Sequence, residues 1–197
     1  MKRPLAAITA IIATTVLVGA CGMQGGSAAT STAGDISESA LTSQVQEILV
    51  AQGLPPTAPD AALTSKTLTR MIDLLLVDTM ATKAGVTITQ GQIDSAIAQY
   101  VTQAGSQQAV DQSLATNGLA PSQLPSIVRI NLQAQAIAKK LAPQGTAQEQ
   151  SDAFSKALVT TSLQLNVTVN PRFGAWDPAQ AVIVPAPNDL SAPPAGA

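Results

Sequence analysis

Apolar residues recur at intervals of three and four along most of this chain, and that period predicts a helical protein. Leu41, Val45, Ile48 and Leu49 share one face of a helix from about Glu38 to Gln52, with Ser37 as its N-cap and Gly53 as its stop. Leu54-Pro55-Pro56-Thr57-Ala58-Pro59 follows as a stiff connector, because three prolines cannot enter a helix interior. A second helix is expected from about Asp60 or Ala61 to Ala84. Its Leu68, Met71, Ile72, Leu75, Leu76 and Met80 form the broadest apolar face, which makes it the expected centre of the core, and Gly85 suits its C-cap. Thr89 with Gln92 makes a capping box and Ile88 with Ile93 a hydrophobic staple, opening a third helix whose face carries Ile93, Ile97, Tyr100 and Val101. A fourth, Gln107 to Thr116, starts at Ser106 and stops near Asn117-Gly118. A fifth spans roughly Ser122 to Leu141, with Leu124, Ile127, Val128, Asn131, Ala134, Ile137 and Leu141 on one side. Thr146 with Glu149 is another capping box, opening a sixth helix to about Leu163 whose face carries Phe154, Leu158 and Thr161.

After Leu163 the period changes to two. Leu165, Val167 and Val169 alternate with Asn166, Thr168 and Asn170, a strand pattern. Pro171 to Asp177 reads as turn-rich, Ala181 to Val184 as a second short strand, and 185–197 as a Pro- and Ala-rich disordered tail. At the other end, Lys2 and Arg3 precede a 14-residue run, Leu5 to Val18, that is too short to cross a hydrocarbon core. A charged start, a short apolar run and small residues describe an export signal. Val18-Gly19-Ala20-Cys21 resembles the lipobox of bacterial lipoproteins, which implies cleavage between Ala20 and Cys21 and a diacylglyceryl group on the Cys21 sulfur. Two acyl chains suffice for stable anchoring. The alternative is an ordinary secretory signal with a cysteine nearby. The expected organisation is a signal peptide over 1–20, a flexible tether over 21–34, a helical domain over 35–184 and the tail. The expected place is the extracytoplasmic face of the cell membrane, held by lipid.

Composition narrows the chemistry. The formal charge is −2 for the whole chain and becomes −4 without residues 1–20, since Lys2 and Arg3 leave with them. So sparse and acidic a chain lacks the dense basic patch that nucleic-acid binding needs. The chain has no histidine and one cysteine, which removes Ser-His-Asp and Cys-His catalysis, an internal disulfide and a zinc cluster. No Gly-rich phosphate loop is visible, and no metal or cofactor is expected. Asp73 and Asp78 sit about 140° apart on the second helix and read as solubilising charges on different faces. Asp111 and Asp152 are isolated, and Lys139-Lys140 complements a helix dipole. Tyr100, Phe154, Phe173 and Trp176 are the only aromatics, so they are expected to dominate burial in a core otherwise built of Leu, Ile, Val and Ala.

Three phrases together carry a resemblance. They are Ile36-Ser37-Glu38-Ser39-Ala40-Leu41; Leu68 to Ala84 with Gly85-Val86-Thr87-Ile88-Thr89 and Ile93-Asp94-Ser95-Ala96-Ile97; and Val167-Thr168-Val169-Asn170-Pro171-Arg172-Phe173-Gly174-Ala175-Trp176-Asp177. In this order they resemble the N-terminal domain of SurA-type periplasmic chaperones, and most nearly the stand-alone SurA-N-like lipoproteins of high-GC Gram-positive bacteria, over about Gly34 to Val184. The resemblance implies a mostly α fold of about six helices with a short C-terminal β element. It also implies a cleft that holds extended segments of unfolded exported polypeptides. In that family a short N-terminal strand pairs with the late strand; here the corresponding Ala28 to Asp35 lacks the expected valines, and all of it but Asp35 falls in the tether. Prolyl-isomerase domains often accompany the family, but such a domain needs a histidine-bearing site, and only Pro143-Gln144-Gly145 links the fifth and sixth helices. The expectation is therefore non-catalytic, chaperone-like binding. The alternative is a structural or accessory lipoprotein docked to a cell-envelope complex. Arg172, Phe173 and Trp176 are the candidate site residues. They form either a peptide-contacting aromatic edge or, the favoured reading, a turn in which Trp176 covers the core and Arg172 pairs with an acid.

Overall fold

The computed structural model of the protein describes residues 26–186. Ala20, Cys21, the signal segment and the chain beyond Ala186 lie outside the described residues. The fold is mostly α, as the period predicts. Strands β1 (Ser27–Thr30) and β2 (Ile36–Ser37) lead into helices α1 (Glu38–Ala51), α2 (Ala61–Ala84), α3 (Gln90–Ala104), α4 (Gln107–Thr116), α5 (Leu124–Leu141) and α6 (Ala147–Leu165). Strand β3 (Thr168–Val169) and the hairpin of β4 (Ala175–Asp177) and β5 (Val182–Val184) close the chain. Side-chain oxygens of Ser37, Asp60, Thr89, Ser106 and Thr146 each accept a backbone N–H in the first turn of the helix they open. At Thr146 the box is complete, and the N–H and hydroxyl of Thr146 hold the Glu149 carboxyl below its usual range. Gly85 ends α2 with φ 61°.

The fifth helix begins two residues later than Ser122. Pro125 has no N–H to offer Pro121, so the Pro121 carbonyl takes the Leu124 N–H and Pro121–Gln123 tightens into a 3₁₀ turn. The sixth helix runs two residues past Leu163. Leu165 is buried one turn beyond Thr161, and Asn166 caps the end in the left-handed region at φ 49°. The predicted alternation from Leu165 therefore shrinks to a two-residue strand, and the turn-rich segment splits into a 3₁₀ turn, Pro171–Phe173, and β4.

The tether is corrected too. Ser27–Thr30 is the middle strand of a three-stranded antiparallel sheet ordered β2-β1-β3, with Ala29 opposite both Ile36 and Val169. Ala28 and Ala29 are 0% and 3% exposed. The strand needs no valines, because small side chains are what its crowded inner position admits, and backbone bonds from Glu38 to Gly26 and from Asn170 to Ala28 hold it.

Three apolar clusters fill the interior. The first joins α1, α2 from Leu63 to Leu76 and the sheet around Leu41, Ile48, Leu68, Ile72 and Leu76. The second sets Val77 and Met80 of α2 against Ile137 of α5 and Phe154 of α6. The third joins α3, α4 and α5 through Ile93, Val110, Leu124 and Val128. The aromatics do not dominate burial. The largest fully buried side chains are aliphatic, while Phe154, Phe173 and Trp176 are only partly buried and Tyr100 is 44% exposed.

Candidate functional site

The terminal phrase is built as a clasp. Asn170 stops β3, and its side-chain oxygen accepts the Arg172 N–H at 3.2 Å. Its amide nitrogen donates to Glu38 Oε1 at 3.3 Å and to the Ser27 carbonyl at 3.4 Å. Arg172 Nη1 meets Glu38 Oε2 at 2.8 Å, and its guanidinium carbon lies 4.6 Å from the Phe173 ring centroid. Trp176 Nε1 donates to the Ser162 hydroxyl at 2.7 Å, satisfying a polar group that is 1% exposed. Gly174 holds φ 121°, and a Cβ there would stand 2.4 Å from the Val184 carbonyl oxygen. Only glycine fits. Arg172 thus ties the β element to α1 through Glu38, Trp176 ties it to α6 through Ser162, and Phe173 and Trp176 pack against the first cluster. Asn170, which organises them, was missed because its side chain acts on backbone groups that no apolar pattern marks.

The two aspartates of α2 face apart, as the helical angle requires, but neither is merely solubilising. Asp78 is ion-paired with Arg129 of α5 and accepts the Gln133 amide at 2.9 Å. Asp73 points toward the hairpin, where burial pushes its carboxyl up to about 7 against the opposing pull of Arg70. Lys140, at the end of α5, donates to the Ala84 carbonyl and so complements the C-terminus of α2. Asp111 and Asp152 accept amides of Gln107 and Gln148 one turn back.

A cleft of about 450 Å³ opens between α3, α4 and α5. Val110, Leu114, Leu124, Ile127 and Val128 give it an apolar floor, and Gln103, Ser113 and Asn131 offer amide and hydroxyl groups. Tyr100 stands in its wall. No lining side chain is charged, and none of the lining residues is a base that could activate the Ser113 or Tyr100 hydroxyl. The arrangement suits holding an uncharged extended segment: apolar surface for side chains, neutral polar groups for a backbone. Sequence reasoning placed Tyr100 and Ile97 in the core. Ile97 does pack, partly buried, against the third cluster, but Tyr100 stands exposed and Ile93 is the only residue of α3 that is buried. The sequence carried no signal for this, since Val110, Ser113 and Leu114 of α4 and Ile127 and Asn131 of α5 all reach the cleft beside Tyr100 without covering it.

Among the described residues, no three His, Cys, Asp or Glu side chains gather to hold a metal ion, and no helix is long and apolar enough to cross a membrane. No family model, no curated protein and no solved structure matches the chain.

Proposed function

We propose that this protein is a non-catalytic, chaperone-like module of SurA N-terminal type that binds unfolded exported polypeptides while a lipid on Cys21 holds it at the extracytoplasmic face of the membrane. The observation that carries the reading is the α3–α4–α5 cleft, uncharged and apolar-floored, with a 44% exposed tyrosine at its wall. An exposed aromatic beside an open apolar floor is a common anchor for a partner chain. The lipobox-like Val18-Gly19-Ala20-Cys21 supports the location.

One feature favours the accessory reading. Val50 and Leu54 are 60% and 46% exposed at the end of α1, and Val50 lines a groove of about 720 Å³ with Pro56 and Pro121. Photocrosslinking in cells separates the two. A Tyr100→p-benzoylphenylalanine variant should capture many exported chains, and the purified protein should suppress aggregation of an unfolded one. A single stoichiometric adduct from a Val50→p-benzoylphenylalanine variant, with none from position 100 and no suppression, would replace the chaperone reading with a docked subunit.

A further inference from the structure

A third hollow, of about 430 Å³, lies between α2 and the β4–β5 hairpin, with Lys66, Arg70 and Asp73 on one wall and Val182 and Ile183 on the other. Asp73 is out of place there. Its Oδ1 is shut off from solvent and has no hydrogen-bond partner. A buried carboxylate in that position loses hydration at that oxygen with no hydrogen bond in its place. Of the charges around it, only Arg70 offsets part of that loss. Arg70 lies one turn away and donates to the Gly118 carbonyl at 3.2 Å, and Lys66 is exposed. Strand β5 contributes no charged group, and Asp177 of β4 is engaged by the Ala179 and Gln180 amides. Arg172, after β3, is paired with Glu38, and Arg129 of α5 with Asp78.

We propose that the β4–β5 hairpin is a proton-operated clasp, seated on α2 while Asp73 is neutral and loosened when that carboxylate ionises beneath it. Beside this contact the hairpin is held by its partly buried Trp176 and Ile183, which rest on the first core cluster, and by the indole N–H that reaches Ser162. The sign follows from the proton count. With the hairpin seated, Asp73 keeps its proton up to about 7; released, it returns to the usual carboxylate range near 3.8. The seated form binds the extra proton, so its advantage is fully present below about 4, falls as pH rises, and is gone above about 7. The chain has no histidine to produce a transition there.

Hydrogen exchange of the purified full chain tests this, with rates corrected for the intrinsic pH dependence of exchange. Protection of the amides in Ala175–Asp177 and Val182–Val184 should fall by up to roughly tenfold per pH unit between pH 5 and 7 and level off above. Asp73→Asn should hold it constant. Protection that does not change with pH in the wild type, the same fall in Asp73→Asn, or an equal fall in the α5 amides would overturn the clasp. Should Asp73→Asn not fold, carboxyl ¹³C titration of the wild type decides: a midpoint well above the usual carboxylate range upholds the proposal, and one within it ends it.

Discussion

Helices α2 and α3 each carry an apolar stripe, broader on α2, and the two stripes meet different fates. Eight residues of α2 are buried, from Leu63 to Ala81, whereas α3 buries Ile93 alone. The difference lies in the neighbours. α2 is packed by α1, α5, α6 and β5; α3 has α5 and the ten-residue α4. Periodicity reports which face is apolar, but the number of elements that reach that face decides whether it becomes core or cleft.

The largest effect should come from the α2 side. Ile72 is 0% exposed in the first cluster, so Ile72→Ala should cost about 2–5 kcal/mol. That corresponds to a drop in melting temperature of roughly 5–15 °C for a chain of this size, read by circular dichroism. Ile97→Ala, at a partly buried site on α3, should cost well under half as much. Equal losses would erase the distinction between the helices.

The next effect tests the clasp that joins the two ends of the described residues. Gly174→Ala places a methyl group against the Val184 carbonyl at a backbone angle few residues adopt. It should cost about 1–3 kcal/mol from backbone strain, with the collision added. Chemical denaturation gives the cost, and Trp176, the one tryptophan of the chain, reports by fluorescence whether the hairpin stays seated. Wild-type stability with unchanged emission would mean that the hairpin does not need this close approach.

The helices were legible because their starts are chemical. Ser37, Thr89, Ser106 and Thr146 are short oxygen-bearing residues, and each precedes its apolar stripe and caps the helix that follows. Strand β1 was illegible for the opposite reason. Its Ala28 and Ala29 carry no β signal, and its place is set by backbone bonds to Asn170 and Glu38, far away in sequence or across a turn. The cleft lay between these cases. Leu124, Ile127 and Val128 of its floor were assigned to an apolar face and Val110 and Leu114 of α4 were not, and whether such a face is open depends on how α4 is set against it, which no local pattern records. The burial of Asp73 was hidden likewise, since it needs β5, more than a hundred residues on, to cover it.

Tyr100 gives the smallest change in stability and the sharpest test of the comparison. Its ring is 44% exposed and its hydroxyl has no protein partner among the described residues, so Tyr100→Ala should leave stability within about 0.5 kcal/mol of wild type. The same variant should weaken binding of an unfolded polypeptide by tenfold or more, on the order of the 1–2 kcal/mol that an aromatic anchor contributes to an interface. Fluorescence anisotropy of a labelled, uncharged apolar peptide measures it, and weak dependence on salt is expected because no lining side chain is charged. A cost to stability near that of Ile72→Ala would return Tyr100 to the core. Unchanged stability and unchanged binding would make the cleft a by-product of helix packing, and the functional weight would move to the exposed Val50 and Leu54 at the end of α1.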